Sequence, residues 1–89
     1  MNLVYTSQFK KDYKRVKRQG KNDCLLEAVV KKLLAGEQLP EHHRDHSLKG
    51  RWKGRRECHI MADWLLVYCM CGDDLILERT GTHSELFHE

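Results

Sequence analysis

Two periodicities divide the chain. In its first third, apolar residues recur at helical spacing. Phe9, Tyr13 and Val16 form a narrow stripe among lysines and arginines, and Leu25, Leu26, Val29, Val30, Leu33 and Leu34 form a broader one. Thr6 or Ser7 can cap the first helix, which runs to about Gln19 before Gly20 stops it. Asn22 or Asp23 caps the second, and Gly36 ends it. So short a connection predicts an antiparallel helical hairpin. In the last third the period falls to two. Polar and apolar positions alternate from Arg55 to Ile60, Leu65 to Met70 is densely apolar, and Leu75 to Thr80 follows the turn signal Cys71-Gly72-Asp73-Asp74. Connections of this length allow only antiparallel pairing. Leu3-Val4-Tyr5 reads as a strand ahead of the helices, and Gly81 to Phe87 as a polar turn leading into one helical turn. The predicted fold is α+β in the order β-α-α-β-β-β. It has a small, largely antiparallel sheet, the hairpin on one face, a short C-terminal helical turn, and the other face open.

Gly36 to Gly54 follows neither period. It holds the only proline, Pro40, and three of the six histidines, His42, His43 and His46. A loop this long in a small domain is usually functional or mobile. Leu48 and Trp52 are expected to anchor it, with His42 and His43 facing solvent. Strand parity sends Arg55, Glu57 and His59 to one face and Arg56, Cys58 and Ile60 to the other. If the core takes Cys58 and Ile60, His59 stands on the open, charged face.

At 89 residues one domain over positions 1–89 is expected, with a thin core. No apolar run has the length of a membrane span, and Met1 to Tyr5 shows no signal-peptide pattern. A cytoplasmic protein without a membrane partner is expected. Four cysteines without a Cys-x-x-Cys pair predict neither a disulfide framework nor a structural zinc site, and no cofactor is expected. The net charge of +3 is mild but unevenly spread. Lys10, Lys11, Lys14, Arg15, Lys17, Arg18 and Lys21 crowd the first helix. Arg44, Lys49, Arg51, Lys53, Arg55 and Arg56 crowd the approach to the sheet. Such clusters suit a phosphate backbone or an acidic protein, or are simply solvated.

Four groups that can move protons lie near the predicted open face: His46, His59, Asp63 and His83. Two histidines flanked by cations meet the needs of RNA cleavage by its own 2′-hydroxyl. One takes the 2′-OH proton, one protonates the leaving 5′-oxygen, and arginine or lysine offsets charge on the phosphate. Trp64 and Phe87 are candidates for stacking on bases, and no metal is needed. Each residue also has a plain structural reading, and composition and spacing leave both open. No glycine-rich phosphate loop or serine nucleophile elbow supports another enzyme class.

Four stretches, in order, carry a resemblance: Asp45-His46-x-Leu48-x-Gly50-x-Trp52, Arg56-Glu57-Cys58-His59-Ile60, Asp63-Trp64-Leu65-Leu66-x-Tyr68, and Arg79-Thr80-Gly81-Thr82-His83-Ser84-Glu85-Leu86-Phe87. Nearly end to end, the chain resembles the YafQ-like branch of the RelE/ParE superfamily of bacterial toxin–antitoxin toxins. That resemblance implies a RelE-like fold and a metal-independent, ribosome-dependent mRNA endonuclease. It would cut in the A site, leaving a 2′,3′-cyclic phosphate and a 5′-hydroxyl. The implied functional residues are His46, His59, Asp63, Trp64, His83 and Phe87, with His83 as general acid. His59 or His46, with Asp63, would serve the 2′-hydroxyl or the transition-state charge. Arg55, Arg56, Arg79, Lys49 and Lys53 are phosphate contacts by charge and placement. The implied partners are the ribosome and mRNA, an antitoxin, acidic in part, that covers the basic face and blocks the site, and operator DNA bound through the antitoxin. Met61-Ala62 stands where relatives commonly carry lysine-proline. The sequence stops two residues after Phe87, so no further recognition element is expected there. Two other classes compete: a ParE-like gyrase inhibitor, which needs no histidine set, and a basic RNA-binding module, which needs only its cations.

Overall fold

Thr6 both ends the first strand and starts the first helix. Its hydroxyl accepts the Phe9 backbone N–H at 2.9 Å and donates to the Glu78 carbonyl at 2.9 Å, closing strand β1 (Asn2–Tyr5) and opening helix α1 (Ser7–Arg18). Asn22 caps α2 (Asp23–Leu34) by accepting the Cys24 N–H at 3.0 Å. The remaining elements are β2 (His46–Ser47), β3 (Arg56–Met61), β4 (Trp64–Cys71), β5 (Asp74–Gly81) and a short α3 (His83–Phe87). The computed structural model describes residues 1–87.

The sheet order is β1-β5-β4-β3-β2. β3, β4 and β5 form the expected antiparallel meander. β1 runs parallel to β5, Asn2 opposite Asp74 and Tyr5 opposite Leu77, and the long connection that a parallel pair requires is the whole chain between them, helices, loop and meander. β2 was not expected. Its two residues pair with β3, His46 opposite Glu57 and Ser47 opposite Arg56, and are too few to show a period.

One core lies between the helices and the sheet. Phe9, Val16, Leu26, Val29 and Leu33 pack there with Cys58, Ile60, Trp64, Leu66, Tyr68, Leu75 and Leu77. The opposite face is not open, contrary to expectation. Leu65, Val67 and Leu86 form a second buried cluster, with Leu48, Trp52 and Phe87 packed on it. The cause is β4, which is apolar on both faces and so needs cover on both. The loop after α2 supplies that cover through the expected anchors Leu48 and Trp52, and α3 completes it.

β1 stops opposite Leu77, so the end of β5 lacks a strand on that side. Two side chains of α1 replace it. Asp12 accepts the Thr80 N–H at 3.2 Å, and Arg15 donates to the Thr80 carbonyl at 3.1 Å. Asp12 is fully buried and also takes both Nε and Nη2 of Arg79, at 2.7 and 3.2 Å. Only such pairing makes a buried carboxylate tolerable. Among the described residues no helix is long and apolar enough to cross a membrane.

Candidate active site

The β3–β4 hairpin turn, Ala62-Asp63, organises the site. A register irregularity after His59 brings Met61 opposite Trp64 and sets the turn close to the strand end. His59 turns Nδ1 onto the Ala62 carbonyl at 3.3 Å. Asp63 Oδ1 accepts the His83 backbone N–H at 3.2 Å and lies 3.5 Å from His83 Nδ1. The two imidazole centroids are 6.1 Å apart. Each Nδ1 is thus committed to the turn, which leaves Nε2 of each ring as the nitrogen for substrate. The His83 side chain is 48% exposed.

His46 joins the same face from β2. Its Nδ1–H donates to the Arg44 carbonyl at 2.7 Å, and Nε2 stands 3.5 Å from Glu57 Oε1. Glu57 has the parity of His59, so His46, Glu57 and His59 lie on one face of the sheet. The four expected catalytic groups therefore converge on one face, His59, Asp63 and His83 tightly and His46 one strand away. Two residues here were not expected to take part in the site. Glu57 is buried against His46, and its parity with His59 was the available signal. His43 donates from Nδ1 to the His59 carbonyl at 2.6 Å, so it braces the strand rather than facing solvent. Nothing in the loop sequence marks it.

The expected RNA-contacting residues divide. Phe87 borders the site, its ring centroid 5.9 Å from that of His83 and 6.1 Å, edge-on, from that of Trp52. Arg55 lies on the site face over Trp52, at 5.9 Å, and pairs with Glu78 at 2.9 Å. Lys49 and Lys53 are exposed on either side of the turn that carries Trp52. Three others need correction. Trp64 is 1% exposed, and its Nε1–H donates to Thr80 Oγ1 at 2.9 Å, so its ring presents no face to a base. Arg56 pairs on the other side of β3 with Asp45, at 3.0 Å, beside the Tyr68 hydroxyl. Arg79 is consumed by Asp12. Cys58, beside His59 in the chain, does not join the described histidines. Cys58 is on the helix side of β3, and burial pushes its thiol up to about 12. Among the described residues no three His, Cys, Asp or Glu side chains are grouped to hold a metal ion.

The geometry can be set against known proteins. A family model described as a bacterial toxin of type II toxin–antitoxin systems, YafQ, matches residues 1–88. The chain belongs to the YafQ family. It is 37% identical over 87 residues to the mRNA interferase toxin YafQ of Escherichia coli K12, covering 97% of this chain and 95% of that protein. The E. coli YafQ structure in complex with DinJ superposes with a TM-score of 0.90 at 37% identity, over 97% of both chains. A copper-bound mutant toxin from Helicobacter pylori superposes with a TM-score of 0.94 at 44% identity, over 98% of this chain and 99% of that one. The copper is a feature of that protein. The α+β architecture with its open, mostly antiparallel sheet is thus the one seen in solved YafQ structures.

Proposed function

We propose that this chain is the toxin of a type II toxin–antitoxin system, an endoribonuclease that enters the ribosomal A site in the cytoplasm and cuts the mRNA there. One observation carries the reading: two imidazoles 6.1 Å apart, both held through Nδ1 by a single hairpin turn, on a face flanked by cations. In the step proposed, His59 Nε2 takes the proton from the ribose 2′-hydroxyl, with His46 behind it on the same face. The 2′-oxygen attacks phosphorus, the phosphorus–5′-oxygen bond breaks, and His83 Nε2 gives its proton to the leaving oxygen. The products are a 2′,3′-cyclic phosphate and a 5′-hydroxyl, and no metal takes part. Asp63 holds His83 at two points, and Arg55, Lys49 and Lys53 offset the phosphate charge. Phe87, backed by Trp52, offers an aromatic surface to a base.

The partner we infer is an antitoxin with an acidic, apolar segment, through which the pair binds operator DNA. An apolar groove between the helical hairpin and β1, about 670 Å³ in volume, supports this, since Lys10, Lys14 and Lys31 lie along it. Lys14→Glu is expected to weaken antitoxin capture in a pull-down while leaving cleavage unchanged.

The deciding experiment maps cut ends on programmed ribosomes with wild type and His83→Ala. A cut inside the A-site codon that the variant loses while still binding ribosomes supports the enzyme. Intact mRNA with the wild type, on and off the ribosome, would sink it.

A further inference from the structure

His83 does not owe its place to Asp63 alone. It is the first residue of α3, a five-residue helix that cannot stand without help. The help comes from Thr82 and Glu85. Glu85 Oε1 accepts the Thr82 backbone N–H at 2.9 Å, and Thr82 Oγ1 accepts the Glu85 N–H at 3.2 Å, a closed capping box around His83. The other Glu85 oxygen accepts from Gln19 Nε2, at the C-terminal cap of α1, at 2.9 Å, and lies 3.3 Å from Arg15 Nε, an ion pair without hydrogen-bond alignment. The Arg15 Nη2 that bonds the Thr80 carbonyl also lies 3.3 Å from the buried Asp12. The clasp thus runs from the buried Asp12 in the middle of α1, around the edge of β5, to the residue that carries the imidazole. It closes tightly over Gly81, where a Cβ would lie 2.6 Å from Arg15 Nη2 and 2.8 Å from Glu85 Oε1.

We propose that Glu85 is a positioning residue for the cleavage reaction: anchored by Gln19 and paired with Arg15, it closes the capping box on Thr82 and so holds His83 against Asp63 and within reach of the His59 site. It touches neither substrate nor the reacting atoms, and the proposal rests on the nuclease reading given above. The pairing with Arg15 is ionic and the cap is not, so the two can be separated. Glutamine keeps an acceptor for the Thr82 N–H but loses the charge facing Arg15, whereas alanine loses both.

The test compares Glu85→Ala and Glu85→Gln with wild type for single-turnover mRNA cleavage on programmed ribosomes, ribosome affinity, and the pH profile of the rate. The His83 imidazole is followed by NMR titration in the free toxin. Glu85→Ala is expected to slow cleavage at saturating ribosomes by about tenfold to a hundredfold, the cost of misplacing one reacting group. Ribosome affinity should hold, and the limb of the pH profile and the NMR titration that belong to His83 should shift together. Glu85→Gln should recover most of the rate. Gly81→Ala, whose Cβ would lie 2.8 Å from the Glu85 oxygen that caps Thr82, should reproduce the loss with Glu85 intact. If Glu85→Ala melts earlier but cuts at the wild-type rate with an unchanged pH profile and His83 titration, Glu85 is only a brace and the proposal fails. If wild type does not cut, the nuclease reading fails instead. The His83 titration in Glu85→Ala still decides whether the clasp sets that ring.

Discussion

The two faces of the sheet are built by the same strands and differ in how far their polar groups are satisfied. On the helix side the buried carboxylate, indole and phenol have their partners inside the protein, and among the described residues Arg15 Nε is the buried side-chain nitrogen left without a hydrogen bond. Asp12 is met by Arg79 and the Thr80 N–H, the Trp64 indole by Thr80, and the Tyr68 hydroxyl by Asp45 at 2.7 Å. On the histidine side the pairing stops halfway. His59 and His83 each spend one ring nitrogen on the Ala62-Asp63 turn, and the His46 side chain remains half exposed. A saturated network fixes a fold, whereas a half-saturated one, held in place by its satisfied half, can do chemistry on something else.

That contrast can be broken from either side. The largest effect belongs to His83→Ala. Cleavage on ribosomes should fall by about a hundredfold to ten-thousandfold, while the thermal melt stays within about 0.5 kcal/mol of wild type because little packing is lost. Asp12→Ala should do the reverse to stability. It strands Arg79 and the Thr80 N–H, and denaturant unfolding should register a loss of about 3–5 kcal/mol. A smaller loss, about 1–3 kcal/mol in the same measurement, is expected of Thr80→Val. The buried Thr80 hydroxyl accepts from Trp64 and donates to the Leu65 carbonyl at 2.8 Å, and valine does neither. A near-neutral result for either variant would mean that the helix side is less saturated than its distances suggest.

The smallest effect is one of pH. The Thr82 N–H first, then Gln19 and Arg15, hold the Glu85 carboxyl below its ordinary value of 4.5, against the opposing pull of burial. A group whose value is lower folded than unfolded contributes stability above the unfolded value and loses it as pH falls through the folded one. The melting temperature should therefore fall on acidification from about pH 4.5 downward, and the Glu85→Gln melt should show less of that dependence. Identical pH profiles for the two proteins would remove Glu85 from the account.

Much of this was legible in the residues, unevenly. Helix limits came within a residue because Thr6 and Asn22 cap through short-range chemistry written in the sequence. The face of His59 followed from parity alone. Trp64 was misplaced although parity places it too. Leu66 lies opposite Cys58, so Trp64, two residues before it, shares the buried face of Cys58. Asp12 was overlooked, though a carboxylate three residues after Phe9 and four before Val16 sits on the apolar stripe and signals a buried pair. Leu48 and Trp52 were legible as loop anchors, but β2, the bracing His43 and the face that the anchors cover left no such trace. They exist through partners distant in the chain, and no local period records them.

The end of β5 has a consequence for assembly. An unpaired strand edge is a template on which any extended chain can add. Asp12 and Arg15 occupy the outward N–H and carbonyl of Thr80, so that stretch offers a foreign strand nothing to bond. Rims without a neighbouring strand remain on β1, on the two-residue β2 and on β3 beyond Glu57, where His43 occupies the His59 carbonyl. The strand that leads into His83 is thereby kept out of self-association.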